Sequence, residues 1–253
     1  MQGETCTDRQ IIEIGGDDRL EFLQGLVTND IGGLNHGLVY AAILSPQGKY
    51  LVDFFLVPFG DKVLLDVQAD MATSLLQRLS LYKLRAKVTL EPSETHVTRG
   101  LGDAPPGAFA DPRDPSLGWR AYGTGTGTAP RIDWDALYVA ACIPQTGIEL
   151  IPNDTYILEA GFERLHGVDF KKGCYVGQEV TARMKHKTAL KKGLTRVAIE
   201  GSAPVGTAIT SDGKPAGTLF TQSSGQALAH LRFDRAGAEM HAGDAVLRWT
   251  GKA

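Results

Sequence analysis

The order of hydrophobic and polar residues over positions 10–90 predicts strands that alternate with helices. Apolar runs of strand length occupy residues 11–14, 38–44, 50–57 and 63–67, and a run with interspersed basic residues occupies 82–90. Leucines at helical spacing predict one helix around Leu23 and a second around Leu75 and Leu79. The sequence Ser-Pro-Gln-Gly-Lys at 45–49 is typical of a hairpin turn. The pattern predicts an α+β fold with helices on one face of a sheet.

The rest of the chain changes character twice. Residues 91–130 carry several prolines and a Gly-Thr repeat at 123–128, which we interpret as a surface loop, with a phosphate-binding glycine loop as the alternative. From residue 194 onward, short apolar runs separated by turn sequences predict a small all-β domain, a barrel. We therefore predict two domains, a first over 1–193, with 91–130 as its loop-rich part, and a second over 194–253.

Composition narrows the class of protein. The chain has 253 residues, a formal net charge of -3 and 43% hydrophobic residues, which is ordinary for a globular protein. No apolar stretch approaches the length of a membrane span, and the first residues do not follow the plan of a secretory signal. Three cysteines lie far apart, which predicts neither a disulfide framework nor a self-contained metal site. These observations lead us to expect a cytoplasmic protein.

Positive charge is concentrated in one segment, residues 171–196. This basic segment holds eight lysines and arginines and a single acid, Glu179, within a chain that is acidic overall. Such a segment can attract an anionic ligand, an acidic tail or a nucleic acid. A lysine-rich helix face that only contacts solvent would give the same sequence pattern, so both interpretations stay open.

The densest candidate for chemistry lies at the start of this segment. Two glycines, Gly173 and Gly177, bracket Cys174 and Tyr175, and an amphipathic stretch from about 178 to 187 predicts a helix after them. A cysteine beside lysines and close to a helix N-terminus is favoured as a thiolate, the form that acts as nucleophile or metal ligand. The alternative is a small buried cysteine in a glycine-rich turn. No histidine constellation for a cysteine hydrolase is identifiable beside it.

The same segment carries a family resemblance. Its sequence is KGCYVGQEVTAR, and the residues that make the motif are Lys172, Gly173, Cys174, Tyr175, Gly177, Gln178, Glu179 and Arg183. Together with FLQGLVTND at 22–30, LSPQGK at 44–49, YKLR at 82–85 and DPR at 111–113, it closely resembles the YgfZ family of folate-binding proteins. These are relatives of the glycine cleavage T-protein that act in iron–sulfur protein maturation and tRNA thiomodification. The resemblance covers nearly the whole chain and implies a T-protein-like folate-binding fold with a small C-terminal β-barrel domain.

The resemblance implies a site for tetrahydrofolate, including its polyglutamylated form. Asp53 matches the T-protein aspartate that lies against the folate and serves the chemistry. Tyr40 resembles an aromatic residue that lines the same cavity, and Trp119 is expected to form a further wall of it. From the residues alone, Asp53 in an apolar strand needs a partner. A pterin could supply it, and so could a backbone amide or a lysine. Tyr40 equally suits a core position.

We therefore expect a tetrahydrofolate-binding factor for the maturation or repair of iron–sulfur proteins, including tRNA-thiomodifying enzymes. Cys174 and Asp53 are the candidate catalytic residues, although the reaction at Cys174 is open and a classical enzyme is not expected. A cysteine stands where the T-protein has an acid, which puts methylene transfer in doubt. The alternatives are a folate-dependent aminomethyltransferase and an RNA-binding adapter that uses the basic segment. The expected partners are folate and iron–sulfur enzymes or their assembly factors, without stable nucleic-acid binding, a membrane or a bound metal.

Overall fold

The computed structural model describes residues 3–186 and 189–251. The chain divides into two compact units, of which the first runs up to Ile132 and includes Glu163–Val180, and the second comprises Asp133–Phe162 and the residues from Thr181 onward. The four α-helices of the described residues are α1 (Arg19–Gln24), α2 (Ala69–Lys83), α3 (Trp134–Ala141) and α4 (Gln178–His186), and two short 3-10 helices lie at Ile31–Asn35 and Pro115–Leu117. The predicted boundary after residue 193 stays a prediction.

The first unit contains an antiparallel sheet with the strand order β3-β4-β5-β2-β6. Its strands are β2 (Arg9–Gly15), β3 (Val39–Leu44), β4 (Tyr50–Phe59), β5 (Lys62–Gln68) and β6 (Thr89–Ser93). Because side chains alternate between the two faces of a strand, every second residue points into one hydrophobic core. That core receives Ile12, Ala41, Phe54 and Leu65 from the sheet and Leu75 and Leu79 from α2. The helices and the hairpin at 45–49 are confirmed.

The strand predicted over 82–90 is wrong. Helix α2 continues to Lys83, because Tyr82 extends the helical spacing of Leu75 and Leu79 and packs against the same core. The strand β6 begins only at Thr89. The basic residues that gave the sequence a strand-like alternation therefore lie at the end of a helix and in the turn that follows.

A second, four-stranded sheet in the first unit has the order β1-β7-β9-β8. Its members are β1 (Glu4–Thr5), β7 (His96–Gly100), β8 (Phe109–Ala110) and β9 (Trp119–Gly123). The segment 91–130 thus contains strands that the sequence pattern did not show, because they are short and are separated by prolines. The described helices include none that is long and apolar enough to cross a membrane.

The second unit contains a closed barrel, as predicted, with the order β10-β13-β12-β11-β14-β15. Its strands are β10 (Lys192–Glu200), β11 (Ala208–Ser211), β12 (Lys214–Ser223), β13 (Gln226–Arg232), β14 (Met240–Ala242) and β15 (Ala245–Arg248). Asp212 and Gly213 both adopt positive φ, 49° and 72°, in the tight turn between β11 and β12. The short strand β14 was missed by the sequence pattern. Helix α3 packs against β12 and β13.

Candidate functional site

The sheet face opposite the core of the first unit carries polar residues, which we call the polar face. Tyr40 lies opposite Phe55, and Phe55 lies opposite Asp66 on the next strand, so these three side chains form one row. Asp53 is two residues before Phe55 and therefore points to the same side. Strand alternation in an apolar sequence thus places two aspartates on one face.

Asp66 lies at one end of the polar face and is held by charged partners. It is fully buried; Arg9 Nε donates to its Oδ1 at 2.6 Å, and Arg120 Nη2 donates to its Oδ2 at 2.7 Å. The Tyr122 hydroxyl also donates to Oδ2, at 2.9 Å. Burial alone would raise the pKa of the Asp66 carboxyl, but the charges and hydrogen bonds of the two arginines outweigh it and hold that pKa below its ordinary value.

Asp53 lies at the other end of the polar face and accepts hydrogen bonds from two tyrosines. Tyr50 OH donates to its Oδ1 at 2.6 Å, and Tyr40 OH donates to its Oδ2 at 3.0 Å. Only 6% of the Asp53 surface is exposed. Burial, followed by the negative charge of Asp53, raises the pKa of Tyr40 well above its ordinary value, so Tyr40 stays a neutral donor. Tyrosine hydroxyls were not among the partners of Asp53 considered from the sequence.

Phe55 lies between the two ends and is surrounded by guanidinium groups. The Arg120 and Arg113 guanidinium carbons lie 4.5 and 4.8 Å from its ring centroid, and Arg9 lies at 5.8 Å. Arg113 also lies 5.6 Å from the Tyr40 ring and is fixed by Asp111, whose two oxygens accept from its side chain at 2.8 and 3.0 Å. The polar face therefore combines flat aromatic surfaces with fixed cations.

Trp119 is not brought together with Asp53 and Tyr40. It precedes Arg120 on β9, and neighbouring residues of a strand point to opposite faces. Its ring packs over Gly3 and Gly100, where an added Cβ would come within 2.4 and 2.6 Å of ring atoms. Its indole N–H has no hydrogen-bond partner within the described part of the chain. Trp119 as a wall of a folate cavity stays a prediction, and this packing does not favour it.

Two of the resemblance stretches meet directly. Gly177 of the cysteine motif adopts φ 83°, and an added Cβ would lie 2.5 Å from the carbonyl oxygen of Ser45 in the β3–β4 turn. Gly48 of that turn has φ 74°, and a Cβ there would lie 2.8 Å from the Val180 side chain. Both positions require glycine for its positive φ and for the close approach of two backbones. The hairpin turn therefore fixes the end of the cysteine motif.

Lys172 fixes the start of the motif. Its side chain is buried, and its Nζ donates to the carbonyl of Gln24 at 2.8 Å and to that of Val27, at the C-terminal end of α1. The ammonium nitrogen also lies 5.1 Å from the Tyr175 ring centroid. Burial lowers the pKa of Lys172 to about 8, although the negative charges of Asp30 and Asp169 oppose this.

Between these two anchors the loop presents Cys174 to solvent. Cys174 is exposed, and no atom lies within 4 Å of an ideal Cβ at Gly173. Gln178 begins α4 and its amide donates to the Gly173 carbonyl at 3.4 Å. Glu179 lies in the first turn of α4 and Arg183 in its last. The interpretation of Cys174 as a buried packing residue is therefore wrong.

Two further outcomes concern the same region. Lys187 of the basic segment lies outside the described residues. Within residues 3–186 and 189–251, no three His, Cys, Asp or Glu side chains are grouped so that they could hold a metal ion.

The sequence did not indicate Arg9, Asp66, Arg120 or Tyr50 as site residues; the one available signal was Asp66, a second aspartate within an apolar strand.

Comparison with known proteins gives a consistent picture. A family described as "CAF17, C-terminal beta-barrel domain" matches residues 191–252. The chain is 31% identical to the mouse protein named "Iron-sulfur cluster assembly factor IBA57, mitochondrial", over 95% of this chain and 75% of that one. The human protein of the same name is 29% identical over 92% of this chain and 78% of its own length. A Mycosarcoma maydis homolog is 30% identical over 73% of this chain, which spans about half of that protein, 54%.

The solved structure of glycine cleavage system aminomethyltransferase T from Bartonella henselae shares the fold. Its TM-score is 0.75 at 14% identity, with 96% of this chain and 82% of that chain covered. This likeness confirms the T-protein-like fold predicted from the sequence.

The expectation of a cytoplasmic protein is wrong on these findings. The similar proteins are named mitochondrial, which points to mitochondria. Free cysteines argue against an oxidising compartment but do not distinguish one reducing compartment from another.

Proposed function

The chain belongs to the IBA57 family of iron–sulfur cluster assembly factors, and from this premise we propose that it acts in the maturation of iron–sulfur proteins while binding tetrahydrofolate at the Asp53 end of the polar face. The clients include tRNA-thiomodifying enzymes, as the YgfZ resemblance implies. Because the chain spans about half of its fungal relatives, its activity and partners are part of the proposal.

The observation that carries the folate proposal is the arrangement around Asp53. A carboxylate offers about four acceptor positions, so a ligand N–H can be accommodated beside the two tyrosine hydroxyls. The Tyr40 and Phe55 rings, with centroids 5.4 Å apart, and the Arg113 guanidinium provide flat surfaces that suit a flat heteroaromatic ring. These residues fit a pterin, and the aminomethyltransferase-like fold supports the same choice.

Cys174 supplies the second part of the proposal. An exposed thiol on a loop anchored at both ends keeps a defined position and remains accessible to another molecule. We propose that Cys174 acts in the maturation step itself. The basic segment around it favours the acidic tail of a polyglutamylated folate.

Complementation of cells that lack the family protein tests this role, with the activity of an iron–sulfur enzyme as the readout. We expect the wild type to restore that activity and Cys174→Ser to lose it. Cys142→Ser is the control, because Cys142 is a half-buried cysteine that lies at the end of α3, outside the motif. Full restoration by a normally folded Cys174→Ser variant would contradict the role of Cys174.

A further inference from the structure

Two leucines at the end of α2 are almost entirely exposed. The helix buries Ala72, Leu75 and Leu79 in the core, yet Leu81 is 78% exposed and Leu84, directly after the helix, is 87% exposed. Both lie in or beside YKLR at 82–85, a resemblance stretch to which the folate site assigns no role. Isolated apolar residues are common on protein surfaces, so exposure alone decides nothing.

The backbone at Leu84 provides a second, independent observation. Leu84 ends the helix with φ 44° and ψ -107°, a conformation that glycine adopts readily and that residues with a side chain rarely adopt. Strain of this kind persists where the surrounding structure compensates it, and it clusters at functional sites. The Leu84 side chain is exposed, so the described part of the chain does not compensate it.

The sequence around the two leucines is basic, although the Lys87 backbone N–H donates to Asp18 Oδ2 at 2.7 Å. Arg78, Lys83, Arg85 and Lys87 lie in the sequence 71–90, which contains no acid. None of the four forms an ion pair with any residue in the ranges 3–186 and 189–251. We call this set, with Leu81 and Leu84, the α2-end patch. An apolar centre with a polar rim is the usual arrangement of a protein interface, and here the rim is basic.

We propose that the α2-end patch docks an acidic protein surface that receives Leu84 in an apolar pocket, the partner being a component of the iron–sulfur assembly machinery. This inference rests on the proposed function, because the partner is the one that the maturation step requires. Contact with a second copy across a two-fold axis would bring four positive charges against four, which opposes dimerisation through this patch. The patch also lacks an exposed aromatic side chain for base stacking, because Tyr82 packs against the core.

The first test separates docking from folding. Leu84→Gly removes the side chain and relieves the backbone, so we expect the purified variant to unfold at the same or a higher temperature and to bind tetrahydrofolate as the wild type does. In the complementation assay it should reduce iron–sulfur enzyme activity at least fivefold, as should the charge reversal Arg85→Glu. The matched controls are Val205→Ser and Lys214→Glu in the barrel, where Val205 is 56% exposed, and both should retain activity.

The outcomes are distinct. A wild type that fails to complement contradicts the proposed function and this docking with it. A wild type that complements, with Leu84→Gly or Arg85→Glu complementing fully, overturns the docking alone. If Leu84→Gly instead unfolds at a lower temperature, the activity of Arg85→Glu in the complementation assay decides whether the docking proposal holds.

Photocrosslinking identifies the occupant. A benzophenone amino acid replaces Leu84 in complementing cells, and one at Val205 serves as the control. A crosslink specific to position 84, to an acidic segment of an iron–sulfur assembly protein, is the expected result. Crosslinks from position 84 that reach only a second copy of this chain, RNA or lipid would overturn the proposal.

Discussion

The two ends of the polar face stabilise a buried carboxylate in different ways. Each end holds a buried aspartate on a strand of the same sheet. Asp66 is held by the guanidinium groups of Arg9 and Arg120, whereas Asp53 accepts from the hydroxyls of Tyr40 and Tyr50. A buried carboxylate with two guanidinium partners is committed to the structure, because removing it leaves buried charge behind. A carboxylate held by hydroxyl donors can accept a further hydrogen bond from a ligand.

The largest expected effect is at the Asp66 end. Asp66→Asn leaves two buried guanidinium groups without their counter-charge, and we expect it to lower the free energy of unfolding by about 3–5 kcal/mol. Urea unfolding measures this. Asp234→Asn is the control, since Asp234 is exposed and its ion pair with Arg232 is 3.4 Å long, so little change is expected. A loss at Asp66 no larger than the control's would contradict the structural role.

The stabilisation that Asp66 provides should depend on pH in the wild type and be absent from Asp66→Asn. Because the pKa of Asp66 is lowered in the folded protein, its contribution is present above the unfolded-state pKa of about 4 and is lost as the pH falls through the folded pKa. The wild type should therefore lose stability below pH ~4 more steeply than Asp66→Asn does. Parallel acid-unfolding curves would be inconsistent with a lowered pKa.

A smaller effect on stability is expected at the Asp53 end. Asn at position 53 keeps one acceptor for a tyrosine hydroxyl, so Asp53→Asn should lower the free energy of unfolding by about 1–2 kcal/mol. The measurement is the same urea unfolding. A loss as large as that of Asp66→Asn would mean that both aspartates serve the structure, and the contrast between the two ends would disappear.

The smallest expected effect concerns Lys172, a buried cation whose Nζ donates to backbone carbonyls. It is a change in how the free energy of unfolding varies with pH. The pKa of Lys172 is about 8 in the folded chain against an ordinary 10.5. The unfolded chain therefore binds more protons between these values, and the free energy of unfolding of the wild type should rise with pH in that window. Lys172→Met should lack this rise. If the free energy of unfolding varies equally with pH in the two proteins from pH 8 to 10.5, the lowered pKa of Lys172 is contradicted.

The sequence predicted the architecture better than the site. Hydrophobic periodicity is local, so three of the four α-helices, the hairpin and the barrel could be predicted, whereas α3 was not. The family resemblance indicated Asp53, which also stands out as an aspartate within an apolar strand. The partners of Asp66 could not be found this way, because Arg9 and Arg120 are 57 and 54 residues away and meet Asp66 only through strand register. Trp119 illustrates the same limit: a shift of one residue reverses the face to which a strand residue points.

The most direct test of the folate site is calorimetric titration of tetrahydrofolate into the wild type, Asp53→Asn and Asp234→Asn. We expect the wild type and Asp234→Asn to bind equally, and Asp53→Asn to raise the dissociation constant at least tenfold, which corresponds to about 1.4 kcal/mol. Equal affinity of all three proteins, or no binding by the wild type, would contradict a tetrahydrofolate site at Asp53.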